Sequence, residues 1–553
     1  MANIDTINAL FDQIKDHILD ANPSLAIFLG ISKYYGKVFD YSKDNLFSTH
    51  QQAKQDLEKL DRVFGQVQNN KIRKLEALVL KSNLQKKIFE IEDLKSFETR
   101  PAVFLEGISD IEEQYSVKSY ASIETRIHHI LSTYESVKRN IANAPKLLRK
   151  ELARDHIQMG IILIQSSRSF LADSLINFVI QCSDKALVEQ WSQENVNVIE
   201  ALDNFESLLT NDYLPHTTDS FALGYDLFSK FVKYTELVDL TPEELLVIAE
   251  KDLERNYTSL RGILDEKGEK FFDEVLNDYP DPAELFQEAE QATQRSKQFV
   301  KEKNLLSFPV DDQVMIVESP DSMKPFAFAA MNPAGIGEDS PAKESFYYIT
   351  PPDPKWDKQT TEKFMRLFSR GSLEVVTIHE VWPGHFHHSL WIKQLKSQVL
   401  RQVAFSSTTL EGWAHYTEEL AIEQGYDLID PLKVKVGQLI AALIRNVRFI
   451  SSIKMHTQGM TVEQSTQLFM DKAFMPREGA LKEARRGTFN PEYYNYTLGK
   501  LMIQKLRSDY QHEKGSSFNL KEFHDSFVKY GTPDIYLLRQ ILLDNPGSAK
   551  DIL

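Results

Sequence analysis

The chain has 553 residues, enough to bury a large core, and its 80 Asp plus Glu against 64 Lys plus Arg give a formal charge of -16. That field repels phosphate backbones and anionic lipid surfaces, which argues against nucleic-acid and membrane partners. With 42% hydrophobic and 26% charged residues the composition is that of a folded soluble protein, and a single cysteine, Cys182, excludes an intrachain disulfide.

The opening segment, MANIDTINALFDQIKDHILD, alternates apolar and charged residues at helical spacing and shows no export signal. Apolar runs such as MGIILI at 159–164 fall far below the roughly 20 residues of a bilayer crossing, so the reading is cytoplasmic. Residues 1–305 are dominated by three-and-four spacing, as in Val198, Ile199, Leu202, Phe205, Leu208 and Leu209, and form an N-terminal helical part. Thr241-Pro242-Glu243-Glu244 carries a capping box that predicts a helix running to about Leu260. From 306 to 356 prolines 309, 320, 325, 333, 341, 351, 352 and 354 exclude sustained helix. The runs Gln313–Val317 and Phe346–Ile349 there predict a small sheet or hairpin. Helical patterning resumes over 357–553, with a second capping signature at Thr461 and Gln464. The fold class is mainly α, one integrated fold, with no internal repeat.

Five of the fourteen histidines (His379, His385, His387, His388 and His415) fall within 37 residues, where an even spread would place about one. The first segment reads VVTIHEVWPGHFHHSLWIKQL. In an H-E-x-x-H helix the histidines are four apart and share a zinc while the Glu activates water. Here position 383 is proline, and His385, six after His379, would lie about 120° around and 9 Å along a regular helix. Pro383 removes an amide donor and Gly384 relaxes the backbone, so the helix opens; a bulge returns His385 to the face of His379. His385 with His388, three apart, is a competing pair, and His387 and His388 also read as surface residues.

A catalytic zinc takes three protein ligands and keeps a position for water. STTLEGWAHYTEELAIEQG puts Glu411, His415 and Glu418 on one face of a helix beginning near Ser407. Glu411 is the candidate third ligand, Glu418 orients a histidine from behind, and Gly412 permits close approach by the His379 helix. A solvated acidic face is the competing reading.

These residues resemble a known group: the bacterial family of zinc metallopeptidases formerly catalogued as a domain of unknown function, marked by HE-x-x-PGH and EGWA-x-Y-x-E. The likeness extends to NPSLAIFLGIS near the start, LGYDLFSKFV and LTPEELL in the middle, and NPEYYNYTLGKLMIQKLR toward the end. It implies a fold distantly similar to gluzincin carboxypeptidases and oligopeptidases, with two helical lobes flanking a deep channel. It implies that His379, His385 and Glu411 hold one zinc per chain and that Glu380 is the general base. Tyr496 fits the family's Tyr-x-x-Gly pattern and is the expected oxyanion donor, with Tyr494 in reserve. Arg448 and His456 lie on segments that resemble the family and line the channel under this reading, Arg448 either meeting a substrate carboxylate or closing a salt bridge. Where the family often has a histidine directly after PGH, this chain has Phe386, leaving that position to His387 or His388. His415 stands where an apolar residue is common.

The expected function is zinc-dependent hydrolysis of short peptides. The competing class is a non-catalytic helical scaffold in which the cluster is a structural metal site or a packed polar network. A di-iron bundle requires Glu-x-x-His pairs on two helices, and the spacing from Glu411 to His415 does not supply one. The sequence carries no signal for oligomeric state.

Overall fold

Thr241 closes its capping box with Glu244, side chain to backbone in both directions, and Pro242 starts a helix that extends to Lys267, two turns beyond the expected end. Thr461 and Gln464 close a second box ahead of Val462–Ala473. A computed structural model of the chain describes residues 4–218, 220–321, 323–324, 327–337 and 344–553. The fold is mainly helical.

The Pro-rich insert contributes a three-stranded sheet of Met315–Glu318 (β1), Ala329–Asn332 (β2) and Phe346–Ile349 (β3). β3 is central, parallel to β1 and antiparallel to β2. All four β3 residues are buried, which is why this apolar aromatic run was readable as a strand. β2 was not foreseen, because AAMN carries neither alternation nor β-branched residues. Of the insert's prolines, Pro325 and Pro341 lie outside the described residues.

One hydrophobic core is built mainly from residues up to Tyr213, and a second, which includes Phe89, mainly from Phe228 onward. Tyr225–Glu236, Pro242–Lys267 and Leu285–Glu302 belong to the second core, because their apolar faces pack with the C-terminal helices. Leu400, Val403, Leu537 and Ile541 return to the first core, so chain from the C-terminal part completes the N-terminal one. Among the described residues one helix, Pro431–Thr457, is long and apolar enough to cross a bilayer, but 72% of its most apolar window is buried within the fold.

Ser407–Glu423 and Asn495–Lys514 meet through two glycines. A Cβ on Gly412 would stand 2.5 Å from the Gly499 backbone, and one on Gly499 only 2.1 Å from the Thr408 carbonyl oxygen. Gly412 therefore admits the 495–514 helix and not the His379 helix; toward the latter it is Trp413 that reaches, its Nε1–H donating to the Pro383 carbonyl at 2.9 Å.

Candidate metal centre

The helix carrying His379 and Glu380, Arg370–Glu380, stops at the Pro-Gly break, and a second helix, His385–Lys393, starts on the other side. The expected bulge is thus a full interruption. The Trp382-Pro383 peptide is cis, the Gly384 N–H donates to Ile378 O at 3.1 Å, and the His387 N–H donates to Val381 O at 3.1 Å. Gly384 has no alternative here: a Cβ would lie 1.8 Å from the His379 carbonyl oxygen. The turn brings the His379 and His385 rings to a centroid separation of 4.7 Å, nearly perpendicular at 86°.

From the facing helix, Glu411 Oε2 lies 3.3 Å from His379 Nε2 and 3.5 Å from His385 Nε2. Neither approach is aligned as a hydrogen bond, and among the described residues this buried oxygen has no hydrogen-bond partner. The three ligand atoms all lie within 4.8 Å of one another. Ligands at 2.0–2.1 Å around one tetrahedral zinc are separated by about 3.4 Å, so the donor set and its spacing fit that ion. His379 is 5% exposed, whereas the His385 and Glu411 side chains are 17% and 24% exposed, so access is from the His385–Glu411 side.

Behind the triad, His379 Nδ1 lies 2.7 Å from Glu418 Oε1. The other Glu418 oxygen accepts from Arg445 at 3.0 Å and lies 3.0 Å from His415 Nδ1. Burial opposes the charge on Glu418, but Arg445, with His415 and His379, holds its carboxyl well below the usual range. Burial likewise opposes charge on His379, yet Glu411 and Glu418 hold the imidazole up at about 9. A metal binding at Nε2 must therefore displace a proton. Glu380, 8% exposed, is pushed upward mainly by burial and by Glu411, against the pull of His379, His385 and Arg445.

The Tyr496 ring lies beside the triad, 6.3 Å from the His379 ring and 25° from parallel. The guanidinium groups of Arg445 and Arg448 flank it at 5.3 and 5.1 Å. Burial, then Glu411, raises the Tyr496 phenol, keeping it a donor.

Other residues read from the sequence are engaged by other partners. The Tyr494 hydroxyl faces Thr235 Oγ1 at 3.4 Å. His456 is buried, with Nε2 2.8 Å from Gly487 O and its ring stacked on Phe228. Arg448 is bidentate to Glu483 at 2.7 and 2.9 Å, so it closes the salt bridge of the alternative reading. His387 and His388 are fully buried, not surface residues, and reach the Ser307 and Gly531 carbonyls at 2.9 and 3.1 Å. Phe386 is also buried, and the group of three ligand atoms found among the described residues takes in His385 but neither His387 nor His388. His415 packs behind Glu418, one shell out from the triad. Sequence reasoning missed Arg445; the signal was its position three before Arg448, which puts both guanidiniums on one helix face.

The model of a family of bacterial proteins of unknown function, DUF885, matches residues 23–542. Among solved structures, a candidate lipoprotein of unknown function from Shewanella oneidensis is similar at 20% identity and a TM-score of 0.81, covering 98% of this chain and 100% of that one. A candidate lipoprotein from Colwellia psychrerythraea is similar at 17% identity and a TM-score of 0.80, covering 97% and 98%. At these identities the likeness concerns the fold. No curated protein matches.

Proposed function

We propose, for a chain that belongs to the DUF885 family of bacterial proteins, zinc-dependent hydrolysis of peptide bonds in short peptides. The observation that carries this reading is the convergence of His379 Nε2, His385 Nε2 and the unpartnered Glu411 oxygen within 4.8 Å, with Glu380 next in chain to a ligand. Zinc bound there would supply a Lewis acid and a water acidified toward a pKa of about 7.

The protein's own groups supply the rest. Glu418 fixes the His379 ring and its tautomer, because a carboxylate only accepts. Glu380, with its carboxyl raised by burial, is suited to take a proton from the attacking water and return it to the leaving amine. Tyr496 is the group beside the triad that can donate to a developing oxyanion. Trp413, by holding the Pro383 carbonyl, fixes the turn on which His385 depends.

The test is a mixed peptide pool incubated with metal-assayed protein and followed by mass spectrometry. The reading expects about one zinc per chain and time-dependent cleavage that a chelator stops. Zinc without cleavage, together with a lower melting temperature after chelation, would establish the structural-site alternative instead. A cytosolic place of work is part of the proposal, favoured by the single cysteine. The two similar structures come from candidate lipoproteins, and cell fractionation separates the two locations.

A further inference from the structure

A half-enclosed cavity of about 420 Å³ lies where the two cores meet, within the roughly 300–1,000 Å³ of small-ligand sites. One wall comes from the first part of the chain and includes Lys86, Arg100 and Glu106; the other includes Phe231, Pro491 and Glu492. A narrow recess shares Lys86, Thr235 and Glu492 with it and extends to Ser406 and Ser407. Two lining residues are close in sequence to the metal centre. Ser407 is one helical turn, about 6 Å, before Glu411, and Glu492 is four residues before Tyr496.

Of the cations here, Arg100 is incompletely matched. Lys87 is paired with Glu90 at 2.7 Å. Among the described residues, neither the Lys86 ammonium nor the Arg100 guanidinium has a hydrogen bond or an ion pair. Burial lowers Arg100 to about 10, with Glu492 the one acid acting against that. Burial also opposes the charge on Lys86, but Glu492 and, beyond it, Glu90, Glu236 and Asp534 more than offset it and hold the ammonium above its ordinary value. Glu106 accepts from the Tyr41 hydroxyl at 2.8 Å and is pushed up to about 7 by burial, so it is a weak counter-charge. Glu236 is raised to about 8, chiefly by burial. Both cations thus face Glu492, and the five donors of Arg100 are unfilled among the described residues. A guanidinium in that state matches a planar carboxylate in two parallel hydrogen bonds.

We propose that this cavity is the subsite for the terminal carboxylate of a peptide substrate, with Arg100 as its bidentate donor and Lys86 as the second positive charge. This rests on the peptidase reading above and gives it a substrate class: short peptides with a free C-terminus, cut at a fixed short distance from that end.

The test compares one peptide as its free acid and as its C-terminal carboxamide, using the zinc-loaded full chain. The free acid is expected to be cut about tenfold or more faster at low substrate, the difference residing in KM. Arg100→Gln should bring the acid-to-amide ratio to within about threefold and Arg100→Lys should leave it intermediate, since a point charge lacks the fork. The ratio is internal to each protein, so a general loss of folded material cancels. Equal cleavage of acid and amide by the parent, or an unchanged ratio in Arg100→Gln, overturns the proposal. If the parent cuts neither peptide, the peptidase reading fails separately, and calorimetric binding of the same pair decides the subsite. Tighter binding of the acid upholds it; equal or undetectable binding of both overturns it.

Discussion

His379 and Glu418 stand 39 positions apart in the chain, yet Nδ1 of the first lies 2.7 Å from Oε1 of the second. Because a carboxylate can only accept, the ring proton is fixed on Nδ1 and the other nitrogen is turned toward Glu411. Glu418→Gln removes the charge that Arg445, His415 and His379 share. Zinc affinity should fall by about 10–100-fold, measured by competition with a chelator of known strength. An unchanged affinity would remove Glu418 from the role given to it.

Glu380→Gln keeps the size of the side chain and removes its basicity. Peptide turnover should drop by about 10²–10⁴-fold while elemental analysis still finds the parent's zinc content. Full activity in a zinc-replete variant would mean another residue moves the proton.

Tyr496→Phe deletes one hydroxyl beside the triad without touching a ligand. If it donates to charge that develops only during reaction, kcat should fall by about 10²–10³-fold with KM within about twofold. A change confined to KM would make Tyr496 a binding group.

Gly384→Ala sets a methyl group 1.8 Å from the His379 carbonyl oxygen, a contact with backbone on both sides. The turn must open, which should cost about 3 kcal/mol or more and displace His385. Thermal unfolding and zinc titration should both report the loss; parent-like zinc affinity would show that the turn tolerates a side chain.

Glu236 is 2% exposed, and burial, reinforced by Glu492 and Asp534, raises its carboxyl to about 8. Its neutral form is favoured in the folded protein, so its contribution to stability is complete below the unfolded pKa, about 4.5, and is lost as pH rises through 8. Glu236→Gln imitates the neutral form. The variant's melting temperature relative to the parent should therefore climb between pH 5 and pH 8.5, by at least about 2 °C. A difference independent of pH would show that Glu236 is ionised throughout.

Local signals were readable wherever the physics is local. Thr241 with Glu244 and Thr461 with Gln464 announced their helices because a cap is satisfied within four residues. The break at Pro383-Gly384 was readable because a missing amide and a missing Cβ act on the same turn. Its form, a complete interruption, depended on contacts such as the Trp413–Pro383 bond from a helix 30 residues away.

By itself, the sequence determined a mainly helical chain and the Pro-rich insert, and it put Glu411, His415 and Glu418 on one helix face because spacing on a helix fixes which side chains share a face; His379, Glu380 and His385 completed the candidate set through their clustering and the family resemblance. Only the tertiary structure decided which of the remaining polar residues belong near that set. Arg445 joins it and Tyr496 lies over it, while His387, His388, His456 and Tyr494 are consumed by buried carbonyls and hydroxyls elsewhere. A buried polar group must find a partner, and which partner it finds is set by the packing of helices distant in sequence. The same packing, which joins the cores through Leu400 and Leu537, leaves Arg100 facing a cavity without one.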